Sequence, residues 1–148
     1  MSFKFNPNAG EEKKFVSKAG TYQATVSAAK IDWLPPRSDL MMRLTFTTTD
    51  GEMCFGEIFA KPDKDGGHSR LESFLASTAT EDEVKRYIDS GNIEVDEDFI
   101  RMISERSVGR HLKIKVTERK YLKKDGSEGV SYSASFFNRL PDGPEGPF

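Results

Sequence analysis

The sequence predicts an α+β domain in which five strands form the sheet and helices lie between the third and the fourth strand. Apolar and polar residues alternate with a period of two in five stretches, which is typical of half-buried strands. The stretch between the third and the fourth strand carries helix-cap residues at helical spacing. We expect an N-terminal arm over residues 1–19, the domain over residues 20–140 and a disordered C-terminal tail over residues 141–148.

The first three strands are predicted to form a meander. Gly20 opens the first strand, and the segment DWLPPRSD after it is predicted as a loop because a proline pair breaks regular structure. Asp50-Gly51 is a hairpin signal between LMMRLTFTTT and EMCFGEIFA. The predicted core faces of the first two strands are Tyr22, Ala24, Val26 and Ala28, and Leu40, Met42, Leu44 and Phe46. The pattern leaves open whether Phe55 and Phe59 of the third strand point inward or outward.

Three caps mark the helical segment. Ser69 is predicted to cap RLESFLAST, and Thr80 with Glu83 has the spacing of a capping box. Asp96 is predicted to cap EDFIRMISER. The nine acids against three bases between positions 77 and 105 gather in these first turns, where the helix dipole favours them.

The last two strands are predicted as a hairpin over RHLKIKVTERKY and VSYSASFF, joined by KKDGSEG. Leu112, Ile114 and Val116 share the core face of the fourth strand. In the fifth strand the residues in phase are Val130, Tyr132, Ala134 and Phe136.

Composition excludes several classes of protein. The chain has 148 residues and a formal net charge of -2, with one cysteine, Cys54, and two histidines far apart, His68 and His111. These counts provide no disulfide framework and no zinc-ligand spacing, so we assign neither a metal nor a cofactor. Without a signal peptide or a membrane span, the chain is expected in the cytoplasm, which is a reducing compartment.

This element order is that of the OB-fold, a small Greek-key barrel. Its ligand face lies on strands two and three, between the loop joining strands one and two and the loop joining strands four and five. Trp33 and Arg37 occupy the first of these loops. The second loop carries Tyr121, Lys123 and Lys124, so aromatic and basic residues occur in both places.

A basic segment supports a nucleic-acid-binding interpretation, with alternatives. Positions 106–124 hold eight Lys and Arg against one acid. Lys113, Lys115 and Arg119 either follow a phosphate backbone, together with Arg43 of the second strand, or form a solvated strand face that protects an edge. Trp33 either stacks on a base or plugs the end of the barrel.

The chain resembles a family of small phage proteins of unassigned function. The resemblance lies in GTYQATVSAAKID, MRLTF, SRLESFLAS and VGRHLKIKV and covers about residues 20 to 140. Such proteins tend to be encoded beside phage replication and recombination genes, and several are thought to bind single-stranded DNA. The resemblance therefore implies a DNA-binding role in the cytoplasm of a bacterial host.

The last residues are similar to the tip of bacterial-type single-stranded DNA-binding proteins, which end in an acidic stretch closing on Pro-Phe. Pro147 and Phe148 match that end, although glycines and prolines interrupt the acids Asp142 and Glu145. The similarity implies that Phe148 docks on a phage or host replication or recombination protein. A chance ending is the alternative.

The predicted function is sequence-nonspecific binding of single-stranded DNA. The alternative is a phage-encoded interaction protein that inhibits a host nuclease or replication factor through its acidic segment. The carboxylates of EVDED lack a partnered His or Lys motif, so no enzyme activity is predicted. The sequence leaves the oligomeric state, including a homo-oligomer, open.

Overall fold

The computed structural model describes residues 1–5, 7, 14–34 and 39–146. Within these residues, five strands and three helices follow one another in the predicted order, with all three helices between the third and the fourth strand. The strands are β1 (Gly20–Leu34), β2 (Asp39–Thr48), β3 (Met53–Phe59), β4 (His111–Leu122) and β5 (Glu128–Asn138). The helices are α1 (Ser69–Thr78), α2 (Glu81–Ser90) and α3 (Glu97–Ser107).

The five strands form one sheet that closes on itself in the order β1-β2-β3-β5-β4. Closure depends on the length of β1: its first part, Gly20–Thr25, pairs with β4, and Ala24–Leu34 pairs with β2. β3 meets β5 in parallel at the pair Phe55–Ser133, and the other strand pairs are antiparallel. The predicted α+β class and the position of the helices are therefore confirmed.

Two bulges shift the predicted alternation by one residue. The register between β1 and β2 slips between Val26 and Ala28, so that Ala28 is exposed while Ala29 packs against the core. The register between β4 and β5 slips at Lys115/Val116, so that Phe136, which the alternation puts in phase with the buried Ala134, is exposed and Phe137 is buried. An extra residue in one strand reverses the phase after it, and a strict period-two pattern cannot reveal this.

The core fills the inside of the closed sheet and the space beneath α1 and α3. Val26, Phe46 and Ile114 are fully buried within the sheet, and Phe74 and Ile100 bring the two helices onto it. The Phe74 ring meets the Phe137 ring edge to face, with their centroids 5.3 Å apart. Cys54 is buried among these residues, as expected for a strand cysteine.

Two of the three predicted caps are confirmed. The Thr80 hydroxyl accepts the Glu83 N–H at 3.3 Å, and the Glu83 carboxylate accepts the Thr80 N–H at 2.9 Å. The Asp96 carboxylate accepts the Phe99 N–H at 2.8 Å. The assignment of Ser69 as a cap is wrong: His68 holds the N-cap position, and Ser69 donates its N–H and hydroxyl to Asp63.

Glu83 also joins α2 to the start of β4. Its carboxylate accepts hydrogen bonds from Arg110 and lies 3.5 Å from the Arg106 guanidinium. Burial raises the pKa of the Glu83 carboxyl, but hydrogen bonds from Arg110 and Thr80 outweigh burial and hold the pKa below its ordinary value. Among the described residues, the helices fall short of the length and apolar character that a membrane span requires.

Candidate nucleic-acid interface

The outer side of β2, β3 and the second part of β1, here called the β1–β3 face, carries a shallow hollow. Two rows of paired residues cross this face: Lys30, Arg43 and Glu57 in one, and Ala28, Thr45 and Phe55 in the next. Ala28 and Thr45 are small, so they leave a space of about 630 Å³ beside the Phe55 ring. The hollow is therefore bounded by an aromatic ring on one side and by charged side chains on the other.

An exposed pair of phenylalanine rings forms the apolar part of this face. Phe55 and Phe15 are each about half exposed, and their ring centroids are 6.0 Å apart at an interplanar angle of 39°. The arm reaches this position by main-chain pairing, since the Val16 N–H donates to Met53 O and the Met53 N–H to Lys14 O. The pair gives a broad apolar surface open to solvent.

Sequence reasoning missed the site role of both rings. The sequence indicates Phe15 only as an anchor of the arm and leaves the direction of Phe55 open. The deciding signal is the run Cys54, Gly56 and Ile58, which are small or apolar and are buried. Alternation then sends Phe55 outward. Phe3 and Phe5 are exposed elsewhere in the arm.

Arg43 lies on the β1–β3 face as predicted, and Trp33 does not lie in a loop. The Arg43 guanidinium is 3.5 Å from the Asp32 carboxylate, and both side chains are more than two-fifths exposed. Trp33 belongs to β1, opposite Leu40, in the same phase as the partly buried Ile31. Its ring is 40% exposed at the end of the strand. Strand pairing in β1 therefore continues through Asp32, Trp33 and Leu34, which the proline pair had assigned to the loop.

Lys113 and Lys115 lie on a different surface. They occupy the outer side of β4, opposite Gln23 and Thr21 of β1, and the Lys115 ammonium is 5.5 Å from the centre of the Phe136 ring. Because β4 pairs with the first part of β1 and with β5, this β4 face lies outside the β1–β3 face. Arg43 and these two lysines therefore lie on two different surfaces.

The β4–β5 hairpin extends beyond the rest of the sheet and carries the remaining predicted residues. The pairing of β4 with β1 ends at Val116, and beyond it β4 continues with β5 as a two-stranded ribbon. The Tyr121 ring lies over Gly129, where a Cβ would collide with it, and stays 45% exposed. Arg119, Lys123 and Lys124 are exposed around it. The hairpin thus presents one aromatic ring and three cations together.

The structure differs from the predicted disorder over the first part of the tail. Residues 141–146 form turns, Pro144 is buried, and its carbonyl accepts the His111 N–H at 2.8 Å. Arg139 fixes the start of the tail by donating to the carbonyls of Ala76 and Ala79 at the end of α1. Arg37, Pro147 and Phe148, which the sequence predicts as site residues, lie outside the described residues.

Comparison with known proteins does not test the predicted family membership, which stays a prediction. Neither the protein-family models nor the curated proteins gave a match to this chain. Within the described parts of the chain, no three His, Cys, Asp or Glu side chains cluster as a metal site would require.

Proposed function

We propose that this protein binds single-stranded DNA with little sequence preference through an OB-fold barrel. A closed order of five strands, with a long first strand shared between β2 and β4 and helices between β3 and β4, supports the OB-fold assignment. In that fold the ligand lies across strands two and three, between the loops that follow strands one and four. The β1–β3 face and the hairpin occupy these positions.

The observation that carries the proposal is the exposed ring pair of Phe15 and Phe55 beside a 630 Å³ hollow. Two half-exposed rings at one spot leave apolar surface in water, which is unfavourable unless a ligand covers it. Nucleobases stack on such rings, and each stacked base contributes about 1–3 kcal/mol whatever its identity. A stacking surface therefore suits a protein that binds many sequences.

Cations on the β1–β3 face and on the hairpin can bind the phosphates. Lys30 and Arg43 lie one row from Phe55, and Lys123 and Lys124 lie on the hairpin. Contact with a phosphate needs charge rather than the geometry of a base edge, so these side chains add affinity without sequence preference. Asp32 and Glu57 on the same face limit its net charge, so we expect stacking to contribute a large share of affinity.

A role in phage replication or recombination follows from the resemblance to the phage proteins, and it remains a proposal. In that role the C-terminal residues Pro147 and Phe148 recruit a replication or recombination protein. Because Pro144 is buried against the start of β4, the tail is expected to present these two residues from a fixed point.

Titration with fluorescent oligo-dT, in single-stranded and duplex form, tests the proposal. We expect binding to the single strand that weakens as salt rises, with weaker binding to the duplex. Equal affinity for both forms would contradict the assignment. Absence of binding to either would instead favour the inhibitor function, and turnover of labelled DNA with magnesium would show an enzyme.

A further inference from the structure

A second groove lies between the end of β3 and the outer side of β5. In the described residues, β3 and β5 pair only at Phe55–Ser133, and beyond that pair a space of about 830 Å³ opens between Phe59 and Phe136. The start of α1 and the segment before it close the groove on the third side. This groove shares no lining residue with the hollow of the β1–β3 face.

Each strand wall of the groove carries an aromatic ring with a lysine over it. On β3 the Lys61 ammonium is 5.6 Å from the centre of the Phe59 ring. On β5 the Lys115 ammonium is 5.5 Å from the centre of the Phe136 ring. The β5 bulge turns Phe136 outward, where it is 55% exposed. An accessible ring beside a cation matches the two parts of a nucleotide, the base and its phosphate.

The groove is positively charged. Among the described residues that line it, Lys61, Lys64 and Arg70 stand against one acid, Asp63. Hydrogen bonds from the N–H and hydroxyl of Ser69 occupy the Asp63 carboxylate and hold its pKa below the ordinary value. Lys61 is 3.4 Å from the Asp39 carboxylate with its side chain 60% exposed, so it can still reach a phosphate. The charge therefore favours a polyanion over a neutral ligand.

The groove and the β1–β3 face are connected along β3. Phe55, Glu57 and Phe59 alternate outward on one strand, so the two phenylalanines are about 13 Å apart along it. We propose that a single-stranded DNA lying on the β1–β3 face continues past Phe59 into this second groove, where Phe136 stacks a base and Lys61, Lys64 and Lys115 contact phosphates. This inference rests on the proposed function and extends its footprint.

Oligonucleotide length separates the two sites. Short oligo-dT of about 4 nucleotides and long oligo-dT of about 16 nucleotides bracket the site sizes of OB-folds. We expect Phe136→Ala to weaken binding of the long oligonucleotide by about 5- to 150-fold and to leave the short one unchanged. Ile88→Ala, which removes an apolar side chain 73% exposed on α2, is the matched control and should change neither.

Lys64→Ala supplies a second readout that does not depend on the ring. For the long oligonucleotide it should make the slope of log K against log salt less negative by about 0.7, and it should leave the slope for the short oligonucleotide unchanged. Lys85→Ala on α2 is the matched control, because Lys85 lines neither the groove nor the hollow.

Three results would overturn the inference. First, Phe136→Ala and Lys64→Ala could leave binding of the long oligonucleotide unchanged. Second, they could weaken binding of the short and the long oligonucleotide equally. Third, a labelled peptide of residues 140–148 could bind the wild type but not the Phe136→Ala variant, while this variant still binds DNA as the wild type does. This result would assign the groove to a protein segment. If the wild type bound neither oligonucleotide, the proposed function would fail as well, and this outcome is distinct from the other three.

Discussion

Single side chains decide both the stability of this protein and the chemistry of its surface. Glu83 illustrates stability: one carboxylate completes the capping box of α2 and binds Arg110 across to β4. Glu83 is 7% exposed and the Arg110 side chain is 17% exposed, so this pair is held largely out of water. Removing one partner of such a pair leaves the other charge buried without compensation.

We therefore expect Glu83→Ala to lower the free energy of unfolding by about 3 kcal/mol. Glu81→Ala, at an exposed first-turn position of the same helix, should cost less than about 1 kcal/mol. Chemical denaturation of the two variants and the wild type measures both. Equal effects of the two substitutions would contradict the role given to Glu83.

The lowered pKa of Glu83 also fixes the sign of a pH effect. A carboxyl with a depressed folded pKa stabilises the protein fully above its unfolded value, and this contribution is lost as pH falls through the folded value. The stability difference between wild type and Glu83→Ala should thus be constant at neutral pH and shrink in acid, below about pH 4. Denaturation across that range checks the direction.

Gly129 illustrates surface chemistry, because only a residue without a Cβ leaves room for the Tyr121 ring. Gly129→Ala should displace this ring and weaken oligo-dT binding about as much as Tyr121→Ala does. In a double-mutant cycle, Gly129→Ala should then have no further effect once Tyr121 is alanine. Additive losses would mean that Gly129 acts independently of the ring.

At the scale of elements, the sequence predicted the kind and order of all five strands and three helices. Alternating residues such as Leu112, Ile114 and Val116, and caps such as Thr80 with Glu83, are local signals, and local signals were sufficient there. The two bulges were not predictable in this way. Each depends on pairing with a distant strand and reverses the phase of the strand residues after it. The alternation therefore placed Ala28 on the wrong face and put the exposed Phe136 in phase with the buried Ala134.

The candidate site was predicted less completely for the same reason. The basic and aromatic residues were identified by type, but their distribution over the β1–β3 face, the β4 face and the hairpin depends on sheet closure. Phe15 joins the site only because the arm pairs with Met53. Neither the alternation of apolar residues nor the helix caps can indicate a contact between residues so distant in the chain.

The hairpin carries exposed cations at its turn. Replacing Lys123 and Lys124 together by alanine should make the slope of log K against log salt less negative, by about 0.7 for each phosphate contact that is lost. Oligo-dT titrations at several salt concentrations measure the slope, with Lys85→Ala on α2 as the control. An unchanged slope would remove the hairpin from the binding surface.

At the scale of the whole molecule, the tail connects the folded domain to the proposed partner. Deleting residues 141–148 removes the buried Pro144 and its hydrogen bond to His111, so it should lower stability by about 1 kcal/mol. Deleting residues 147–148 alone keeps that hydrogen bond and should leave the stability unchanged. We expect both truncations to retain oligo-dT binding and both to lose the partner protein in capture from infected-cell lysate.

Either of two results would contradict this account of the tail. Loss of DNA binding in both truncations would make the tail part of the DNA site. Capture of the partner protein by the variant that lacks residues 147–148 would show that the Pro-Phe end is not required to recruit it.

The central claim is that the β1–β3 face binds single-stranded DNA by stacking bases on its exposed rings. The most direct measurement is an equilibrium titration of oligo-dT with wild type, Phe55→Leu and Ile88→Ala. Leucine keeps an apolar side chain beside Phe15 but removes the aromatic face, so Phe55→Leu should weaken binding by about 5- to 150-fold while its melting temperature stays near that of the wild type. Ile88→Ala should bind as the wild type does. Wild-type affinity in a folded Phe55→Leu variant would contradict the claim.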